Sequence, residues 1–218
     1  MLKLVTFDLD GTIIDDEWAH EQAKTEIARE LGATGDLSLS HFTGRSNRLF
    51  WENVYETFNL PGEPDIEALV ARQFRRVFEL VRDAGQPESK GLSETLHYLK
   101  ANGYTTAICS GSDLSFVDSV LDYLNLQSLF DIKVTKDYVK NVKPAPDIYL
   151  AAQKLSGIDA ELSVGIEDSY SGCLSLKSAG MLSIGYTNQE KNTSQNLSIA
   201  DYCIAEMTEM IPILEQMV

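Results

Sequence analysis

Residues 2–18 read LKLVTFDLDGTIIDDEW, and the reading of the whole chain turns on how this stretch ends. Leu4, Val5, Thr6 and Phe7 suit a pleated, buried strand, and the run stops at Asp10-Gly11, a turn signal. On an extended chain Asp8 and Asp10 project to the same side, where their charges repel unless something neutralises them. Alone, DLDGT reads either as a strand-to-turn junction with solvated acids, or as a nucleophile beside a general acid/base or a metal site. Only the rest of the chain decides between these.

Outward from that strand, Leu2 to Phe7, further β-rich runs lie at Thr105 to Cys109, Ile132 to Thr135, Ser163 to Gly165, Leu182 to Gly185 and Tyr202 to Ala205. Helical patterns separate them. Leu114, Val117, Leu121 and Leu124 share one helix face, as do Ile148, Ala151, Ala152 and Leu155, the second set following Pro146 and Asp147 at a helix start. Strands alternating with helices predict an α/β fold, a doubly wound parallel sheet. Residues 16–84 break the alternation and read as helices: Glu17 to Leu31, Ser46 to Phe58, and a long one with Ile66, Leu69, Val70, Phe74, Val77 and Val81 on its stripe. The expected organisation is a core of residues 1–15 and 85–218 with an all-α cap at 16–84. An insertion after the first strand is expected over the carboxyl edge of the sheet, where open α/β sheets bind ligands.

Composition limits the partners. With 33 acidic and 18 basic residues among 218, the net charge is −15, which argues against nucleic acid and anionic membranes. An anionic substrate then needs local cations. No apolar run reaches the ~20 residues of a membrane span, and Leu4 to Phe7 is too short for a signal-peptide core, so a cytoplasmic location is expected. Cys109, Cys173 and Cys203 are odd in number and widely spaced. They read as small core residues in a reducing compartment rather than as a disulfide framework or zinc site.

Three further features stand at strand ends. In ICSGSD, residues 108–113, the turn at Ser110, Gly111 and Ser112 offers backbone N–H groups and a hydroxyl as an anion cradle; ordinary helix capping explains the same residues. In KNVKPAPDIYLAAQKL, residues 140–155, Lys143 precedes two prolines at a helix entrance, where a lysine is normally a solvated surface residue. In VGIEDSYSG, residues 164–172, Glu167 and Asp168 either complement a helix dipole or, with Asp8 and a backbone carbonyl at Asp10, offer hard oxygen ligands that suit magnesium.

Taken jointly, FDLDGTIIDDEWAH, the Ser110 turn, KPAPDIYLAAQKL and GIEDSYSG resemble the motifs of the haloacid dehalogenase-like (HAD) hydrolase superfamily over the whole chain, with the closest likeness to its β-phosphoglucomutase-like branch. The resemblance implies a Mg2+-dependent phosphatase acting on a small phosphate monoester, a sugar or sugar-acid phosphate, through an aspartyl-phosphate. Asp8 is then the nucleophile and Asp10 the acid/base. Ser110, with the backbone near Gly111, holds phosphoryl oxygens, and Lys143 neutralises Asp8 and the phosphoryl group. Asp8, Asp10, Glu167 and Asp168 serve the metal, and Arg45, Arg48 and His20 are the cap residues expected to meet substrate. A monomer is expected, since a closed cap over its own core needs no partner.

Two departures from the branch's mutase pattern concern substrate choice. Where that pattern has Gly-x-Ser-Arg, this chain has Gly44, Arg45, Ser46 and Asn47, which displaces the next arginine to Arg48. After the serine motif it has Asp113 and Leu114 in place of lysine and asparagine. A mutase needs a second cationic phosphate site, so both differences favour a hydrolase; a sugar-phosphate mutase is the alternative reading. A phospho-ligand-binding protein without catalysis and a dehalogenase are disfavoured, the first because every expected acid, serine and lysine position is filled, the second because it has no use for Glu167 and Asp168. Arg72, Arg75 and Arg76 read as a solvated helix face.

Overall fold

Among the described residues six short strands make one all-parallel sheet in the order β3-β2-β1-β4-β5-β6: β1 (Leu4–Phe7), β2 (Thr105–Ser110), β3 (Ile132–Thr135), β4 (Ser163–Glu167), β5 (Leu182–Tyr186) and β6 (Tyr202–Ile204). The coordinates are a computed structural model and describe residues 2–35, 47–187 and 196–216. The chain divides into two compact units, Met1–Asp15 with Pro87–Val218, and Asp16–Gln86. The helices are α1 (Glu17–Glu30), α2 (Asn47–Thr57) and α3 (Ile66–Asp83) in the second unit, and α4 (Leu92–Ala101), α5 (Leu114–Tyr123), α6 (Asp147–Ser156), α7 (Tyr170–Ser178) and α8 (Met210–Glu215) in the first. None of the described helices is long and apolar enough to cross a membrane.

In the sheet unit every residue of β1 and β4 is buried, as parallel strands covered by helices on both faces require. The strand order reverses at β1, because β2 and β3 are laid to one side and β4 to β6 to the other. Register sets the height at which the chain leaves each strand. Phe7 is level with Ile108 of β2 and Ile166 of β4, so Asp8, Cys109 and Glu167 come next at one height on the central strands. This is the switch point at the carboxyl edge.

The helical unit is held by Ile27, Ala28, Phe50, Trp51, Val54, Ile66 and Leu69. Asp65 caps α3 by accepting from Ala68 N at 3.0 Å. Arg72 pairs with Glu30, and Arg76 with Glu26 at 2.7 Å, while Arg75 is exposed. Gln73 lies on the buried stripe of α3 that the sequence reading assigned to apolar residues alone. Its Oε1 accepts from Trp51 Nε1 at 3.0 Å, and its Nε2 lies 3.2 Å from both Asn47 Oδ1 and His20 Nδ1.

Three expectations need correction. Cys109 and Cys173 are buried, and burial pushes the Cys173 thiol up to about 12, but Cys203 is exposed on the short last strand. On α5 the buried face is Phe116, Val117, Val120 and Leu121, with Leu114 and Leu124 only partly buried. On α6 it is Ile148, Tyr149 and Ala152, while Leu155 is 56% exposed; the helix turns Tyr149 inward, for a reason found at the site.

Candidate active site

Asp8 and Asp10 come out of one turn into different surroundings. After Phe7 the chain curls, the carbonyl of Leu9 accepting from Thr12 N at 3.2 Å and Ile13 N at 2.8 Å. Gly11 sits at φ +81°, where a Cβ would fall 2.2 Å from Asp168 Oδ2. Only glycine allows both that backbone and that approach, and so the turn closes against Asp168.

Asp8 is buried beside Lys143, whose Nζ donates to Asp8 Oδ1 at 2.5 Å and to the Cys109 carbonyl at 2.7 Å, and lies 2.6 Å from Glu167 Oε1. Burial, and then the carboxylates of Glu167, Asp10 and Asp168, push the Asp8 carboxyl up from its ordinary value, against the pull of Lys143. Burial works to lower the Lys143 ammonium as well, but Asp8 and Glu167 outweigh it and hold the lysine charged. Lys143 precedes Pro144 in the loop before α6, and Ser175 Oγ of α7 ties that loop down by donating to the Ala145 carbonyl at 2.6 Å. A lysine at a helix entrance is ordinarily solvated, but Lys143 is an interior cation beside the acid it is expected to neutralise.

Asp10 faces the other motif. Ser110 Oγ donates to Asp10 Oδ2 at 3.1 Å and Ser112 Oγ to the same oxygen at 2.8 Å, while Ser112 N donates to Ser110 Oγ at 2.9 Å. Capping does not explain these serines: Asp113 caps α5, accepting from Phe116 N at 2.9 Å, with Lys136 Nζ 3.6 Å away. Gly111 is exposed between them.

Glu167 is fixed from several sides. Tyr149 donates its hydroxyl to Oε1, the oxygen nearest Lys143, and Ser169 Oγ donates to Oε2 at 3.3 Å. Ser169 also caps α7, accepting from Gly172 N at 3.0 Å. A Cβ on Gly172 would lie 1.8 Å from Glu167 Oε2, so the glycine is what lets the acid lie against the helix start.

Oxygens of Asp8, Glu167 and Asp168 lie within 4.8 Å of one another. Three carboxylates against one ammonium leave a formal charge of −2 when all are ionised, and the donors are hard oxygens, a set suited to a small divalent cation. Asp10, expected to serve the metal through its backbone carbonyl, has its carboxylate turned to Ser110 and Ser112.

Of the cap candidates, Arg45 lies outside the described residues. Arg48 is exposed and paired at 3.5 Å with both Glu52 and Glu67 of its own unit. His20 has Nδ1 against Gln73 and Nε2 3.6 Å from Asp16 Oδ2.

Residues 2–180 match the family described as haloacid dehalogenase-like hydrolase. The chain belongs to that family. It is 27% identical over 207 residues to hexitol phosphatase B of Escherichia coli strain K12, covering 94% of this chain and 92% of that one. It is 30% identical to a phosphorylated carbohydrates phosphatase of Thermotoga maritima, over 83% and 82% of the two chains. Its fold is also that of β-phosphoglucomutase from Clostridium difficile, at 24% identity, a TM-score of 0.81 and coverage of 99% and 96%. Two residues of this HAD site escaped the sequence reading as contributors: Ser112, which repeats the hydroxyl of Ser110 two positions on, and Tyr149, a polar aromatic inside an apolar stripe.

Proposed function

We propose that this HAD hydrolase is a magnesium-dependent phosphatase that hydrolyses monophosphates of small sugar-like metabolites. The supporting observation is the division of labour between two acids of one turn: Asp8 is held by a lysine and faces other carboxylates, while Asp10 is held by two serine hydroxyls. In the first half-reaction an Asp8 oxygen attacks phosphorus, the bond to the ester oxygen breaks, and Asp10 gives that oxygen its proton. In the second, water attacks the phosphorus of the aspartyl-phosphate, Asp10 takes a proton from the water, and the Asp8 carboxylate leaves inorganic phosphate behind. Lys143 offsets charge on Asp8 and the phosphoryl oxygens. Ser110 has one hydroxyl proton, which Asp10 now takes, so a role at the phosphoryl group requires that proton to turn toward substrate. Asp8, Glu167 and Asp168 would hold Mg2+, which offsets the charge on the transferring phosphoryl group.

The relatives named for hexitol and carbohydrate phosphates support the substrate class. The test is a panel of hexose, hexitol and sugar-acid monophosphates incubated with Mg2+ and the parent or Asp8→Asn protein, with phosphate measured and organic products identified. Release by the parent and none by the variant is expected. Equal release, or isomer exchange without net phosphate, overturns the proposal.

A further inference from the structure

After Trp51, Tyr149 heads the largest fully buried side chains, and it packs in the core with Leu4, Ala107, Cys109 and Ile148. A phenylalanine would fill nearly the same space. The hydroxyl is therefore an addition that a packed core resists unless it finds a partner, and the partner is Glu167 Oε1. The ring has a second neighbour, because Lys143 Nζ stands 5.3 Å from its centroid, within range of a cation–π contact. One buried side chain on α6 thus touches the acid at the end of β4 and the cation from the preceding loop.

We propose that Tyr149 is a positioning residue for metal uptake: its hydroxyl fixes the Glu167 carboxylate and its ring supports Lys143, so that the acid cluster is set before a divalent cation arrives. The inference rests on the proposed metal-dependent reading. Lys143 and Glu167 attract each other at 2.6 Å, and with no further restraint on Glu167 that attraction draws the carboxylate toward the ammonium. Tyr149 on Oε1 and Ser169 on Oε2 tether both oxygens of the carboxylate and limit such drift. Groups behind a metal ligand that act in this way alter affinity or activity by about 10–100-fold when removed.

The experiment titrates Mg2+ calorimetrically, without substrate, into metal-free parent and Tyr149→Phe protein, and compares their melting in chelator. The phenylalanine keeps the ring and removes only the hydroxyl. Expected is a magnesium affinity about 10–100-fold weaker in the variant, with most of kcat regained at saturating Mg2+ and KM for the phosphate ester little changed. A variant that binds Mg2+ within about twofold of the parent, whether or not it melts earlier, shows a tyrosine needed only for packing and overturns the inference. A parent that binds no Mg2+ overturns the metal-dependent reading itself, and the inference falls with it. Parent binding matched by the variant overturns the inference alone.

Discussion

Replacing Gly172 with alanine sets two known effects against each other inside α7. In an open helix the change stabilises by about 1 kcal/mol, because glycine is the poorer helix former, and Gly172 has no left-handed backbone to preserve. Here the new Cβ would fall 1.8 Å from Glu167 Oε2 and 1.9 Å from Cδ, so the carboxylate must move. Tyr149 and Lys143 hold Oε1 and Ser169 holds Oε2, so movement breaks bonds to a buried acid. Overpacking costs about 1–3 kcal/mol, and loss of a hydrogen bond to a charged group adds about 1.5–3 kcal/mol. Against the helix gain, the net is a loss of about 1.5–5 kcal/mol. Thermal melts in chelator measure it, and at roughly 2–4 °C per kcal/mol the shift is well resolved. Gly111→Ala is the control: nothing lies within 4 Å of its added Cβ, and its stability is expected to stay within about 0.5 kcal/mol of the parent. A Gly172→Ala protein that melts at or above the parent refutes the claim that Glu167 is clamped.

Three further outcomes are expected. Between the ordinary carboxylate range and the raised Asp8 value, the metal-free folded chain holds a proton that the unfolded chain has released, so stability falls as pH rises through that window. Asp8→Asn removes this slope: denaturant unfolding in chelator should find the variant more stable than the parent at neutral pH, with the difference closing toward about pH 4; a less stable variant at neutral pH contradicts the assignment. Ser112→Ala deletes the 2.8 Å bond to Asp10 Oδ2 and should lower kcat by about 10–100-fold with KM little changed; unchanged kcat removes Ser112 from the site. Gln73→Met keeps the volume but strands the buried Trp51 N–H, at about 1–3 kcal/mol, and a melting temperature equal to the parent's shows that this bond contributes nothing.

The sequence carried the sheet because its strands are buried runs punctuated by Asp-Gly, Ser-Gly and Glu-Asp. Such strands show in composition, and the β-rich run Ile132 to Thr135 coincides with β3. The ends of β4 and β5 ran past the expected Gly165 and Gly185 to Glu167 and Tyr186, since glycines in a buried strand do not end it when ladder partners continue. Asp8, Asp10, Ser110, Lys143, Glu167 and Asp168 stand at strand ends or in a rigid loop, each ambiguous alone, and it is their joint resemblance to the family's motifs that marks them as candidates. Tyr149 and Gln73 carry no such mark, because periodicity sorts positions into faces and cannot tell which buried member of a face carries a polar atom to a distant partner. In the sequence Ser112 is simply part of a turn; only the register of β1 against β2 brings it to Asp10.

The two acids that began as an electrostatic problem are reconciled by strand order rather than by distance along the chain. Because β1 lies between β2 and β4, the turn after it meets serines from one neighbour and an acid pair from the other, and each aspartate is claimed by one side. Lys143 alone cannot neutralise what converges on the β4 side, where Asp8, Glu167 and Asp168 outnumber it three to one when all are ionised. In a chain of net charge −15 the overall balance adds to the repulsion, so a phosphate dianion approaching Asp8 is expected to be repelled until a divalent cation is added. Catalysis without metal should therefore fail at the approach of substrate as well as at the chemical step. Chelation is expected to weaken binding of inorganic phosphate, a ligand that undergoes no net reaction, and phosphate that binds equally well with and without Mg2+ would show that Lys143 and the Gly111 turn suffice.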